Sequence, residues 1–206
     1  MKKILSIILI LIVSISYAED KSYLIDDSLA MARQGEFVRA SNLIVDLANN
    51  GDSTAQYVLS MYFRDPNALN IPEVGEMWLL RAAENNNPFA QYDLGWRLAA
   101  GWKNDTVEDI IEMIYWFERA TFNGSEEAYA NLATLYENEF RDVLAEMEFA
   151  ANDGNAMAQF NLGWINARGL MSSEGLMQDM DVAKTWFEKS AALGFQDAIE
   201  VLEKNF

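Results

Sequence analysis

Histidine and cysteine are absent from all 206 residues, and proline occurs three times. Losing histidine removes the commonest general base, and losing both removes the Ser-His-Asp and Cys-His arrangements and every zinc site that needs nitrogen or sulfur ligands. Without cysteine there is no disulfide framework, so packing alone must hold the fold. Positive charge is scarce as well: 15 basic residues face 32 acidic ones, for a net charge of −17. Such a surface repels phosphates and anionic headgroups, which makes nucleic acid and membrane surfaces poor partners. No glycine-rich phosphate loop or other cofactor motif is present, so no cofactor is expected. Asp179 and Asp181 lack the third acid, the central glycine and the closing glutamate of a calcium loop, and no metal site is assigned. A pair of carboxylates acting on cell-wall glycan is the one enzymatic reading left, and a hydrolase of that kind is not the expectation.

What is present is apolar material, 51% of the chain, enough for a well-buried core. Lys2 and Lys3 precede an apolar run from Ile4, and Ser16-Tyr17-Ala18 supplies small residues where a signal peptidase reads. The run from Ile4 to Ala18 is 15 residues, short of the roughly 20 that span a bilayer. Residues 1–18 are therefore read as a cleaved export signal, with no membrane insertion afterwards and a periplasmic or secreted location. Residues 19–50 are read as an N-terminal helical pair and 51–206 as a repeat domain. Oligomeric state is not legible.

The repeat shows in AQYDLGWRLAAGW from Ala90, which returns as AQFNLGWINARGL from Ala158. Looser copies lead from Ala55, Ala128 and Ala198, at spacings of 35, 38, 30 and 40 residues. A second element precedes the copies: WLLRAA at 78–83, WFERAT at 116–121 and WFEKSA at 186–191, with worn versions at 43–48 and 146–151. Four residues before each lead alanine stands Gly51, Asn86, Gly124, Gly154 or Gly194. A helix ending in a left-handed residue wants glycine there, with asparagine next most tolerant. Asp52, Asn87, Ser125 and Asn155 follow as caps for the next helix, and Pro88 suits a first helical turn. Only Phe195 breaks the capping pattern. Every junction reads as helix, tight turn, helix. The copy from Ala128 lacks the mid-repeat glycine seen at Gly101 and Gly169, so its inner loop is expected to be cut to a few residues. Around Gly35, two further helices are expected at 28–34 and 37–50.

The pattern A-x-[YF]-x-L-G, a glycine-led loop, then D-x-x-x-A-x-x-W-F-x-K-x-A-x-x-G resembles the Sel1-like repeat, a relative of the tetratricopeptide repeat. The copy from Ala158 carries it best, with Gly163, Gly169, Asp179, Ala183, Trp186, Lys189 and Gly194 in register. The resemblance implies an all-α fold, an α-solenoid of stacked helix-turn-helix repeats, and a non-catalytic adaptor that binds a protein or peptide in a concave groove. It also permits a periplasmic immunity protein that neutralises a secreted, phospholipase-type toxin.

In such a solenoid the lead alanine and the leucine four later face the core. Positions three, six and seven after the alanine are expected to face the groove. They are Val58, Met61 and Tyr62; Asp93, Trp96 and Arg97; Asn131, Thr134 and Leu135; and Asn161, Trp164 and Ile165. Large aromatics flanked by polar side chains are the types that anchor interfaces. Trp96 and Trp164 share one repeat position, where tryptophan either faces the groove or fills gaps between helices. The sequence leaves both open. Trp78, Trp116 and Trp186 are expected in the core.

Overall fold

The structure, a computed structural model, describes residues 22–101, 106–169 and 178–206, without the side chains of 101 and 137–141. The export signal expected at 1–18 and the inner loops at 102–105 and 170–177 lie outside these. The described residues are helices and turns without a strand, an all-α fold of stacked helix-turn-helix repeats. Along the chain run α1 (22–32), α2 (Phe37–Asn49), α3 (Ser53–Arg64), α4 (Pro72–Glu84), α5 (Pro88–Gly101), α6 (Val107–Phe122), α7 (Glu126–Asn152), α8 (Ala156–Arg168), α9 (Met180–Ala192) and α10 (Gln196–Asn205). They form two compact units, one ending at Asn87 and one beginning at Pro88. No described helix is long and apolar enough to cross a membrane.

The junctions follow local backbone chemistry. Gly35, Gly51, Gly124, Gly154 and Gly194 all have positive φ, and Asn86 takes the same left-handed turn at φ 63°. Helix starts are then held by side chains: Asp52 accepts from the Ala55 amide, Ser125 from Ala128 and Asn155 from Ala158. Asp179 opens α9 by accepting from the amides of Asp181 and Val182. At the aberrant junction Phe195 caps nothing. Its ring instead packs against Tyr115 and Phe160, at 5.8 and 5.3 Å between centroids.

A buried glutamine follows the lead alanine in three copies, and in two of them it ties the preceding junction shut. The Nε2 amides of Gln56 and Gln159 donate to the carbonyls of Ala48 and Ala151 across the preceding turn, both at 2.8 Å. Asn85 and Asn123, at the ends of the next helices, donate to Gln56 and Gln91. These groups would be costly to bury unpaired, so together they fix the stacking of one hairpin on the next.

In the first unit, α1 to α4 close over Ala40, Ile44, Leu47, Ala55, Leu59 and Trp78. Ser28 on α1 donates to the Ala40 carbonyl at 2.9 Å and meets the Tyr62 hydroxyl at 3.1 Å. In the second unit the helix after each loop presses the phenylalanine of WFE onto a glycine. Gly95 lies under the Phe117 ring and Gly163 under Phe187, where an added Cβ would come within 2.7 and 2.5 Å. Phenylalanine, rather than the tryptophan before it, fills the deepest layer. Trp116 is buried beside it, while Trp186 only half covers the core edge.

The copy from Ala128 departs from expectation. There is no inner loop: α7 runs unbroken for 27 residues, from Glu126 to Asn152. The segment ENEFRD at 137–142 holds neither glycine nor proline, so nothing in it stops a helix. The two helices expected there are one, and α6 packs directly on α8.

Candidate functional site

The expected groove positions do not share one fate. Val58 and Tyr62 are buried, because the N-terminal helices cover that face of α3. Tyr62 meets Ser28 and packs edge-on against Phe37 at 5.8 Å, and burial raises its phenol pKa. Met61 is half-buried against the same core. Asn161 is also buried, since α6 covers α8 and takes the Asn161 amide on the Ile111 carbonyl at 2.9 Å. Val58, Tyr62 and Asn161 are thus interior residues and offer no surface to a partner. Ile165 is buried too, and Leu135 half-buried against the core.

Trp164 is a packing residue. Its ring is set among Phe122, Phe160 and Phe187 at 5.3, 6.3 and 5.4 Å, with the Arg168 guanidinium 5.1 Å from its centre. Such clusters of tilted and edge-on rings stabilise beyond their buried area. Trp96 holds the same repeat position on α5 and is 52% exposed. The difference lies in the neighbours. Phe122 of α6 can reach Trp164 because α6 packs on α8, an arrangement that follows from the unbroken α7.

Around Trp96 the remaining positions hold together. Asn131 on α7 donates to the Tyr92 hydroxyl on α5 at 3.3 Å, which pins the two helices side by side. One turn beyond that contact stand Trp96 and the exposed Arg97 on α5 and the exposed Thr134 on α7, and Asp93, next to Tyr92 in sequence, is half-buried. The Thr134 hydroxyl donates to the Ala130 carbonyl of its own helix at 2.9 Å. This is a surface with one large anchor and polar neighbours. It contains no paired nucleophile and base, and among the described residues no group of three or more His, Cys, Asp or Glu could hold a metal.

Two structural features had little or no signal in the sequence. The glutamine clamp was visible as part of the repeat but had no role assigned. Glu118 reads like its repeat counterpart Glu188, in the same WFE, yet Glu188 is exposed while Glu118 is fully buried. Only the long helix α7 explains that, and no local pattern announces it.

Solved structures similar to this chain include three bacterial proteins. One is a Sel1 repeat protein from Oxalobacter formigenes, 28% identical with a TM-score of 0.41, covering 80% of this chain and 48% of that one. Another is a protective antigen present in uropathogenic Escherichia coli strains, displaying an SLR fold, 24% identical with a TM-score of 0.46, covering 89% and 40%. The third is an immunity protein from Pseudomonas aeruginosa, 18% identical with a TM-score of 0.42, covering 87% and 68%. This chain spans less than half the length of the first two. No curated protein sequence matches it significantly. The Sel1 repeat model matches at residues 53–87, 88–121 and 156–195, just over half of the chain, and passes over 122–155, where α7 replaces a hairpin. With three copies in register and the helical pairs they prescribe, the chain belongs to the Sel1 repeat family, whose repeats serve as scaffolds for protein–protein interaction.

Proposed function

We propose that this chain is a non-catalytic adaptor of the exported compartment that binds a protein or peptide through the α5–α7 face around Trp96. The observation that carries the reading is the exposure of Trp96 at a position where the matching Trp164 is packed. A tryptophan left half in water exposes apolar area, and desolvating it on binding contributes on the order of 1–3 kcal/mol. Arg97, Asp93, Asn131 and Thr134 supply a polar rim, the usual surroundings of an interface anchor. The excess of acidic residues disfavours phosphate-bearing partners and leaves protein as the partner class. Export to the periplasm, or secretion, is part of this reading and is supported by the sequence of the 1–18 segment.

The test is affinity capture from the exported fraction with the wild-type chain and with Trp96→Ala, each checked for helix content. Loss of a specific partner by a folded Trp96→Ala chain is expected, and undiminished capture would remove this face from the account. A captured toxin, together with protection of cells that make the chain, would specify the adaptor as an immunity protein.

A further inference from the structure

Glu118 is the one fully buried acidic residue among the described residues. It sits on the face of α6 covered by α7 and α8. Arg168, the last residue of α8, brings its Nη1 against Glu118 Oε2, and the Tyr136 hydroxyl of α7 faces the same carboxyl group. The carboxyl group is thus held from two sides, by the charge of Arg168 and by the Tyr136 hydroxyl, which donates to it. Even so, burying the carboxylate costs it the hydration it would have in water. The arginine is not sealed in, since its side chain keeps 18% of its exposure and also lies over Trp164.

Arg168 stands where α9 is hung on α8. The carbonyl of Asn166 receives the Asp179 amide at 3.0 Å, the carbonyl of Ala167 receives the Gln178 side chain at 2.9 Å, and Gly169 closes the helix on Ile165. Whatever holds Arg168 therefore holds the last turn of α8 and the entry to α9.

We propose that Glu118, Tyr136 and Arg168 form a pH-operated latch. The ionised carboxylate holds Arg168, and with it the last turn of α8, against α6 and α7; protonation of Glu118 lets the guanidinium turn out to solvent and loosens that turn. The described titratable groups facing Glu118 are Arg168 from α8 and Tyr136 from α7. On α6 itself, Arg119 is engaged by Asp197 and Glu112 by the Trp116 indole. Next to Glu118 in sequence, Phe117 meets the glycine backbone of α5 at Gly95.

Burial pushes the Glu118 carboxyl up to about 7, against the opposing pull of Arg168. The folded chain thus carries a proton that the unfolded chain has released between the ordinary glutamate value of 4.5 and about 7. In that window this group makes global stability rise as pH falls, even as the local tie to Arg168 is lost. A general electrostatic effect would move both together; the latch separates them.

Hydrogen exchange of the α8 amides, expressed as protection factors, tests it at pH 8 and pH 5.5. In the wild type, protection at Ile165 to Gly169 should fall on the order of tenfold at the lower pH, the loss of one charge-assisted tie. In Glu118→Gln it should be low at both. Arg168→Met, which strands the carboxylate, should show a lowered melting temperature at pH 8 that recovers towards wild type at pH 5.5. Unchanged wild-type protection across the two pH values overturns the latch, as does a pH-dependent fall in Glu118→Gln equal to that of the wild type. If Glu118→Gln fails to fold, Arg168→Met decides, and a wild-type melting temperature at both pH values overturns the proposal.

Discussion

Gly163 lies flat beneath the ring of Phe187, so close that a Cβ there would stand 2.5 Å from the ring edge. Alanine is ordinarily preferred to glycine inside a helix by about 1 kcal/mol. Here the sign reverses, because the ring has no room to retreat from a packed layer. Gly163→Ala is expected to lower stability by about 1–3 kcal/mol in urea titration. Gly154→Ala, where nothing stands in the way of a Cβ but φ is 95°, should cost roughly 1 kcal/mol through backbone strain. A stabilised Gly163→Ala chain would mean that the α8–α9 contact is looser than described.

The unbroken course of α7 is tested at Asp142, an exposed residue in the stretch where a loop would otherwise fall. Asp142→Pro should cost about 3 kcal/mol or more, through a lost backbone hydrogen bond and a clash with the preceding turn. Asp142→Ala should be neutral or slightly stabilising. Equal stabilities for the two variants would contradict a continuous helix.

The C-terminal helix is fastened by a three-way contact. The Tyr115 hydroxyl and Arg119 both donate to Asp197 Oδ2, at 2.7 and 2.9 Å, and Arg119 also donates to the Tyr115 oxygen at 2.8 Å. Burial, first of all, raises the Tyr115 phenol pKa, so it serves as a neutral donor throughout the ordinary pH range. Asp197→Ala should cost about 1–2 kcal/mol, discounted because Arg119 and Asp197 keep some exposure. Amide exchange in α10 should rise well before exchange elsewhere. Uniform acceleration through α5 to α10 would show that α10 does not open by itself.

How far the sequence speaks depends on the range of the interaction. Turn glycines, caps and the alanine–leucine face are decisions taken within a few residues, and Gly51, Asp52 and Ala55 read the same way in sequence and in structure. The pattern marks Trp116 as a core residue, but nothing local says that Phe117, one residue on, is the ring that presses onto Gly95. The face of each first helix was harder, because what covers it comes from far along the chain. Tyr62 is closed over by Ser28 and Phe37, and Asn161 by Ile111. Periodicity marks which positions share a face; it does not say how many neighbours that face has. The fused helix α7 propagates this uncertainty, since it alters which helices meet and thereby buries Glu118 and packs Trp164.

The central claim is that the face around Trp96 meets a partner while the matching Trp164 serves only the fold. Trp164→Ala should therefore lower stability by about 3 kcal/mol, and Trp96→Ala by under 1 kcal/mol. The most direct measurement places a photoreactive aromatic residue at 96 or at 164 in cells that export the chain. A discrete adduct with another protein is expected from position 96 and none from position 164. No adduct from 96, or the same adduct from both positions, would contradict it.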